Sequence, residues 1–126
     1  MKKVIAATLV ALFALTGCSQ PNVAEIGATT ETAVLALPGV TGGTLELYYA
    51  SLTPNLICDL TGSGTTKAEL VATMDAVART IVTNLEPLDS SSMVSCVIEN
   101  GDVSANLSDL LGFEARSLDD LRRNLR

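Results

Sequence analysis

The stretch from residue 66 to residue 85 constrains the fold of this chain more than any other segment. Apolar residues recur there at intervals of three and four positions, which is the period of a helix with one face in a core. The series is Leu70, Val71, Met74, Val77, Ala78, Ile81, Val82 and Leu85. Thr66 and Glu69 form a capping box at its start, and Pro87 follows its end. We therefore predict a long helix whose stripe lies in the core.

Strand-like segments lie on both sides of this helix. Before it, residues 44–51 and 55–61 alternate apolar and polar side chains, and Thr53-Pro54-Asn55 predicts a turn between them. After it, residues 93–107 predict a hairpin with a type I′ turn at Asn100-Gly101. Counting outward from that turn predicts that Glu99 pairs with Asp102, Ile98 with Val103, Cys96 with Ala105 and Val94 with Leu107.

Two further helices complete the predicted order. Residues 23–37 predict a weaker helix that stops at Pro38-Gly39, and residues 117–125 predict a short last helix capped by Ser117. The order α-β-β-α-β-β with a short C-terminal helix predicts an α+β two-layer sandwich, with helices on one face of a four-stranded sheet. A permuted ferredoxin-like topology is one strand order that fits, although this analogy says nothing about function.

The N-terminus has the features of an export signal. Lys2 and Lys3 precede an apolar run from Val4 to Leu15, interrupted only by Thr8. A helix of about 12 residues is too short to span a hydrocarbon core of roughly 30 Å, but it suits the apolar region of a signal peptide. The next residues, Leu15-Thr16-Gly17-Cys18, resemble the lipobox of bacterial lipoproteins.

That resemblance implies how the protein is processed and where it is located. A signal peptidase would recognise Leu15, Thr16 and Gly17 and remove residues 1–17. Cys18 would carry a diacylglyceryl group and fatty acyl chains such as palmitate, which hold the protein on the extracytoplasmic side of the cell membrane. Residues 18–22 would then be the lipidated cysteine and a short linker, and residues 23–126 a single domain. An ordinary secreted protein with a cysteine at the cleavage site is the alternative.

Charge and composition narrow the function further. The net charge is −6 with only eight Lys and Arg, so the chain lacks the basic surface that a nucleic-acid partner needs. Removing Lys2 and Lys3 with the signal makes the mature charge −8. An anionic membrane surface repels such a domain, so the lipid has to supply the attachment. The chain contains no His, which is the commonest catalytic base and transition-metal ligand.

Four polar segments superficially resemble catalytic or binding motifs. Gly62-Ser63-Gly64 lies between a strand and a helix, but the Gly-Lys-Ser/Thr of a phosphate loop is missing. The polar residues between Glu99 and Asp109 lack the spacing of a calcium loop and alternate with apolar residues instead. Ser90-Ser91-Ser92 has no adjacent base, and Asp119-Asp120 fits helix capping. We therefore assign no catalytic residue, metal or cofactor.

Two cysteines remain once Cys18 is lipidated. An even pair in an exported protein predicts a disulfide between Cys58 and Cys96. Both residues face inward by the alternation of their strands. In the permuted ferredoxin-like order the two strands are not neighbours, and two strand spacings of roughly 9.5 Å exceed the reach of a disulfide. Two separate buried thiols are therefore the alternative.

The other face of the predicted sheet carries a candidate interaction surface. Tyr48, Ile57, Met93 and Val97 fall on that face among acidic and hydroxyl side chains. Clustered apolar residues on an exposed face usually mark a contact site, although scattered ones are normal. We expect a non-catalytic, membrane-anchored module that binds a protein or a small molecule. The alternatives are a structural or envelope-assembly accessory subunit and, less favoured, a hydrolase.

Overall fold

The computed structural model describes residues 22–49 and 52–125. The predicted signal segment and the lipobox, including Cys18, therefore lie outside the described residues. The described part forms four helices and four strands: α1 (Val23–Leu35), β1 (Val40–Tyr49), β2 (Pro54–Gly62), α2 (Lys67–Asn84), β3 (Val94–Asn100), β4 (Val103–Asn106), α3 (Leu107–Leu111) and α4 (Leu118–Asn124).

The strands form one mixed sheet in the order β1-β2-β3-β4. β1 and β2 are antiparallel, β2 and β3 are parallel, and β3 and β4 are antiparallel. The predicted α+β architecture is confirmed. The permuted ferredoxin-like strand order is wrong, because β2 and β3 are direct neighbours. Two neighbouring parallel strands must be joined by a long crossover connection. Between β2 and β3 this connection contains α2, which crosses one face of the sheet.

α2 supplies the centre of the core, as its stripe predicts. Leu70, Met74, Val77, Ala78 and Ile81 are buried on it. They belong to one apolar cluster with the inward side chains of the sheet, which include Leu45, Leu56, Leu60 and Ile98. The capping box is also confirmed, since the Thr66 side chain and the Glu69 carboxylate each accept the other residue's N–H. Local capping and core burial therefore favour the same helix.

α1 packs against β1 through two specific contacts. A Cβ placed on Gly27 would lie 3.2 Å from the Leu47 Cβ, so a residue without a side chain permits this close approach. One turn further along, the Glu31 carboxylate accepts a hydrogen bond of 3.1 Å from the Leu45 N–H. This contact satisfies a backbone donor of β1, which is an edge strand of the sheet.

The β3–β4 hairpin differs from its predicted register by two residues. Ile98 lies opposite Ala105 and Asn100 opposite Val103, so the turn residues are Gly101 and Asp102. Only Gly101 has a positive φ, 61°, which is typical of type II′ and not of the predicted type I′ turn. Because the offset is two residues, each side chain stays on its predicted face.

The second strand of that hairpin is also shorter than predicted. β4 ends at Asn106, whose side chain accepts the Asp109 N–H and begins α3. The predicted pairing of Val94 with Leu107 is therefore wrong, since Leu107 is already helical. The pattern Asn106-x-x-Asp109 is a capping box and was the local signal for this helix.

The last helix closes the domain through an arginine. α4 begins at its predicted cap, where the Ser117 hydroxyl accepts the Asp120 N–H. Arg122 then reaches across to the end of α2. Its guanidinium donates to the carbonyls of Leu85, Glu86 and Leu88 and to the Ser90 hydroxyl. A cation at a helix C-terminus satisfies carbonyls that have no partner within the helix.

Candidate functional site

The sheet has one face covered by helices and one open face. The predicted interaction residues come together on the open face: Tyr48 on β1, Ile57 on β2, Val97 on β3, and Met93 directly before β3. The exposed fractions of Tyr48, Ile57 and Met93 are 40%, 46% and 45%, while Val97 is half-buried. Strand alternation places them there, because the alternate residues of the same strands are buried in the core.

The strand register defines the neighbours of each open-face residue. Ile57 lies between Glu46 of β1 and Ser95 of β3. One step along, Val97 lies between Asp59 of β2 and Asn106 of β4. Residues directly opposite one another on a face have Cβ atoms about 5 Å apart. Apolar and acidic side chains therefore lie next to one another across the open face, close enough for direct contact.

The charged side chains that the strands themselves place on the open face are all acidic. Glu46, Asp59 and Glu99 are exposed there. In the described part of the chain, none of the four strands contains Lys or Arg. The face consequently combines accessible apolar groups with a negative potential. A surface of this kind favours contact with a positively charged surface over contact with another acidic one.

A groove continues the open face at the point where β4 ends. It has a volume of about 260 Å³, and its lining includes Met93, Ser95 and Asn106 from the open face. Its far wall is the segment before α4, where Glu114 and Arg116 form an ion pair of 2.8 Å. That segment is held against β3 because the Val94 N–H donates to the Arg116 carbonyl. Sequence reasoning missed this groove, since no local pattern shows that the chain returns to β3.

The cysteine pair lies on the covered face of the sheet. Cys58 and Cys96 are buried free thiols at directly opposed positions of the parallel strands β2 and β3. The contact with the Cys58 thiol, and then burial, raises the pKa of the Cys96 thiol well above its ordinary value. Because the strands are neighbours, the separation expected from the ferredoxin-like order does not apply. The predicted disulfide remains a prediction, now between two free cysteines that lie opposite each other on neighbouring strands.

The Gly62-Ser63-Gly64 loop is filled by interactions of its own. Glu69 accepts hydrogen bonds from the N–H groups of Thr65 and Thr66 at 3.0 and 3.1 Å. These bonds, the one from the Thr65 N–H foremost, lower the pKa of Glu69. The helix N-terminus therefore already binds an anion, namely its own carboxylate. This arrangement favours a structural loop over a phosphate site.

The other polar candidates are also engaged in local structure. Asp109 accepts from the Asn106 N–H and forms an ion pair of 3.2 Å with Lys67, and these contacts lower its pKa. Ser91 donates to Asp89 at 2.6 Å within a tight turn, and Ser90 accepts from Arg122. Within residues 22–49 and 52–125, no group of three or more His, Cys, Asp or Glu side chains is arranged to hold a metal ion.

Two further findings concern the described helices and the comparison with known proteins. Among the helices that the structure describes, none has the length and apolar character required to cross a bilayer. Comparison of the chain with protein-family models, with curated proteins and with solved structures gives no match.

Proposed function

We propose that this protein is a lipid-anchored, extracytoplasmic binding module that holds a protein partner on its open sheet face. The observation that carries the proposal is the composition of that face. Exposed Tyr48 and Ile57 lie beside carboxylates, and no basic side chain lies on the strands. Such a face pairs with a partner that presents Lys or Arg around an apolar centre.

The shape of the face favours a protein over a small molecule. Small-molecule sites are concave and enclose most of the ligand, whereas these apolar side chains lie on the outer surface of a sheet. Tyr buries a large area and keeps one polar tip, which makes it a frequent anchor in protein interfaces. The groove beside Met93 and Ser95 extends the same surface and accommodates a projecting side chain of the partner.

The lipid anchor rests on the lipobox and agrees with the charge. The mature chain carries a net charge of −8 once Lys2 and Lys3 are removed. An anionic membrane repels it, so acyl chains on Cys18 are the attachment that fits. The chain has no His, and its described residues include no group of three or more His, Cys, Asp or Glu side chains arranged to hold a metal ion. These features support a binding role without chemistry, on the outer side of the cell membrane.

Site-directed photocrosslinking in cells tests the proposal. A photoreactive amino acid replaces Ile57 in the full chain, and crosslinked proteins are identified by mass spectrometry. We expect one abundant product whose partner has a basic surface. Adding Val97→Lys should abolish it, because this substitution places a cation and a longer side chain at the centre of the face. High salt should slow its formation, since rim charges act mainly on association.

A matched control separates binding from folding. Ala72 is exposed on α2, in the helix layer, so Ala72→Lys adds the same charge away from the open face. The crosslink should persist in this control, and both variants should show the thermal melting of the parent. A crosslink that survives Val97→Lys, or that Ala72→Lys also abolishes, contradicts the assignment of this face. If Cys18→Ala leaves membrane attachment unchanged, the anchor is wrong.

A further inference from the structure

Exposed apolar side chains are concentrated at one end of the domain. Of the seven large apolar residues exposed in the described part, Tyr48, Tyr49, Leu52 and Met93 lie where β1 ends and where β2 and β3 begin. Tyr49 is 55% exposed and Leu52 is 96% exposed. We refer to Tyr49 and Leu52 together as the hairpin tip. They are distinct from the four residues of the proposed interaction face.

The start of α1 lies at this same end. Glu31 bonds to Leu45 and Gly27 lies against Leu47, so α1 runs antiparallel to β1. Four helical residues rise about 6 Å, and two strand residues rise about 6.6 Å. Four residues of α1 therefore cover the same distance as two residues of β1. One further helical turn, toward the N-terminus, places the first residues of α1 beside Tyr49.

The end of α2 lies at the same end of the domain. Asn22, Glu25 and Ile26 of the α1 start line a groove of about 340 Å³ together with Asn84 and Pro87. The described chain thus begins at the end of the domain that carries the hairpin tip. The lipobox cysteine precedes Asn22 by four residues, and four residues reach at most about 14 Å.

The hairpin tip projects toward the bilayer that this short linker imposes. Tyr49 and Pro54 form the outermost residue pair of β1 and β2, and Leu52 lies two residues before Pro54, outside that pairing. Two residues extend by at most about 7 Å. Amphipathic segments bury their apolar side chains roughly 5–10 Å deep at the boundary between headgroups and acyl chains, and Tyr is enriched at that depth. The reach of the tip matches this boundary.

Charge at this end argues for contact through apolar groups. Glu25, Glu86 and Asp89 are exposed close to it. Of the two nearby cations, Arg116 is paired with Glu114 and Arg122 is engaged with the end of α2. An anionic surface gains nothing from such a patch. Contact with lipid therefore depends on Tyr49 and Leu52, and it should be insensitive to salt.

We propose that the hairpin tip is seated in the interface of the bilayer that holds the anchor, so that lipid and tip together orient the domain. The strands then run away from the membrane and the Gly101 turn is distal. The open face points sideways, where a membrane-bound partner can reach it. This inference rests on the proposed lipid anchor at Cys18 and adds a second point of attachment.

Tryptophan fluorescence tests the seating directly, because the chain contains no Trp. Leu52→Trp is the probe. Leu35→Trp is the matched control, since Leu35 is also an exposed leucine and lies at the other end of α1, about 18 Å away. Each full-length variant is purified from membranes, its lipidation is checked by mass spectrometry, and it is placed in phosphatidylcholine vesicles that contain brominated lipid.

We expect the Leu52→Trp emission to shift to shorter wavelength and to lose intensity with brominated lipid, at low and at high salt. The Leu35→Trp emission should stay that of an exposed residue. A lipidated protein in which Leu52→Trp emits as in water overturns the seating alone. Equal quenching of the two variants overturns the proposed orientation. A protein that carries no lipid on Cys18 overturns the anchor, and the seating with it.

Discussion

Oxidation of Cys58 and Cys96 should stabilise the domain strongly. The two residues are opposed in register on adjacent strands, which lie about 4.8 Å apart, and a disulfide requires Cα atoms 4.4–6.8 Å apart. The bond closes a loop of about 39 residues that contains all of α2. The loop-entropy relation then gives about 4 kcal/mol at 25 °C. For a domain of about 100 residues this corresponds to a rise in Tm of roughly 20 °C.

The assay compares reduced and oxidised protein by thermal melting. Refolding in oxidised glutathione transfers two electrons from the cysteine pair, so that one disulfide forms and two molecules of reduced glutathione leave. Oxidation of the folded protein should be slow, because both thiols are buried and the raised pKa of Cys96 keeps its reactive thiolate scarce. Mass spectrometry of unreduced peptides confirms the bond.

A single-cysteine variant provides the control for this experiment. Cys96→Ala leaves one thiol, so the same treatment should leave its Tm unchanged. The reasoning is refuted if the oxidised protein contains the Cys58–Cys96 bond and melts no higher than the reduced protein, or if the bond fails to form during refolding. Protein isolated from its native compartment should already contain the bond, and two freely alkylated thiols would contradict this.

Four further results are expected. Cys18→Ala should abolish labelling by a fatty-acid analogue, and equal labelling of parent and variant would show that the lipid is elsewhere. Ile81→Asp places an unpaired charge in the core at a cost of several kcal/mol, comparable to the whole stability of a small domain, so cooperative melting should be lost; Met74→Asp should behave alike. Arg122→Met keeps the apolar stem but leaves the carbonyls at the end of α2 without their donor, and denaturant unfolding should show a loss of about 2 kcal/mol. The lowered pKa of Glu69 means that its contribution to stability is present above its ordinary value of 4.5 and is lost as pH falls through the lower folded value, so Glu69→Gln should melt with less pH dependence in this acid range; a parallel curve would contradict that role.

The local elements follow from the sequence because their signals lie within a few residues. Thr66 with Glu69, and Ser117 with Asp120, place two helix starts through side chains that reach only three residues along the chain. The alternation of β2 assigns Cys58 to the core and Ile57 to the open face for the same reason. The open-face residues could thus be predicted before their neighbours were known.

The pairing of β2 with β3 was decided only by the tertiary structure. The alternation of apolar and polar residues within each strand is the same in any strand order. The local pattern therefore does not show which strands are neighbours. α2 is the crossover between the two strands, and its core side chains join one apolar cluster with theirs, in which Cys58 and Cys96 lie opposite each other. The register of the β3–β4 hairpin likewise depends on more than its turn, since the favoured dipeptide Asn100-Gly101 lies one position away from the turn that forms.

The position of the start of α1 relative to the hairpin tip also has a tertiary cause. Asn22 and Tyr49 are far apart in sequence and become level because Gly27 and Glu31 hold α1 antiparallel to β1. The lipobox predicts by itself a lipid close to Asn22, because a peptidase would read this motif as a linear segment. The packing of α1 determines which surface such an attachment would turn toward the membrane. The reason is that this packing decides which distant residues lie at the same end of the domain as Asn22.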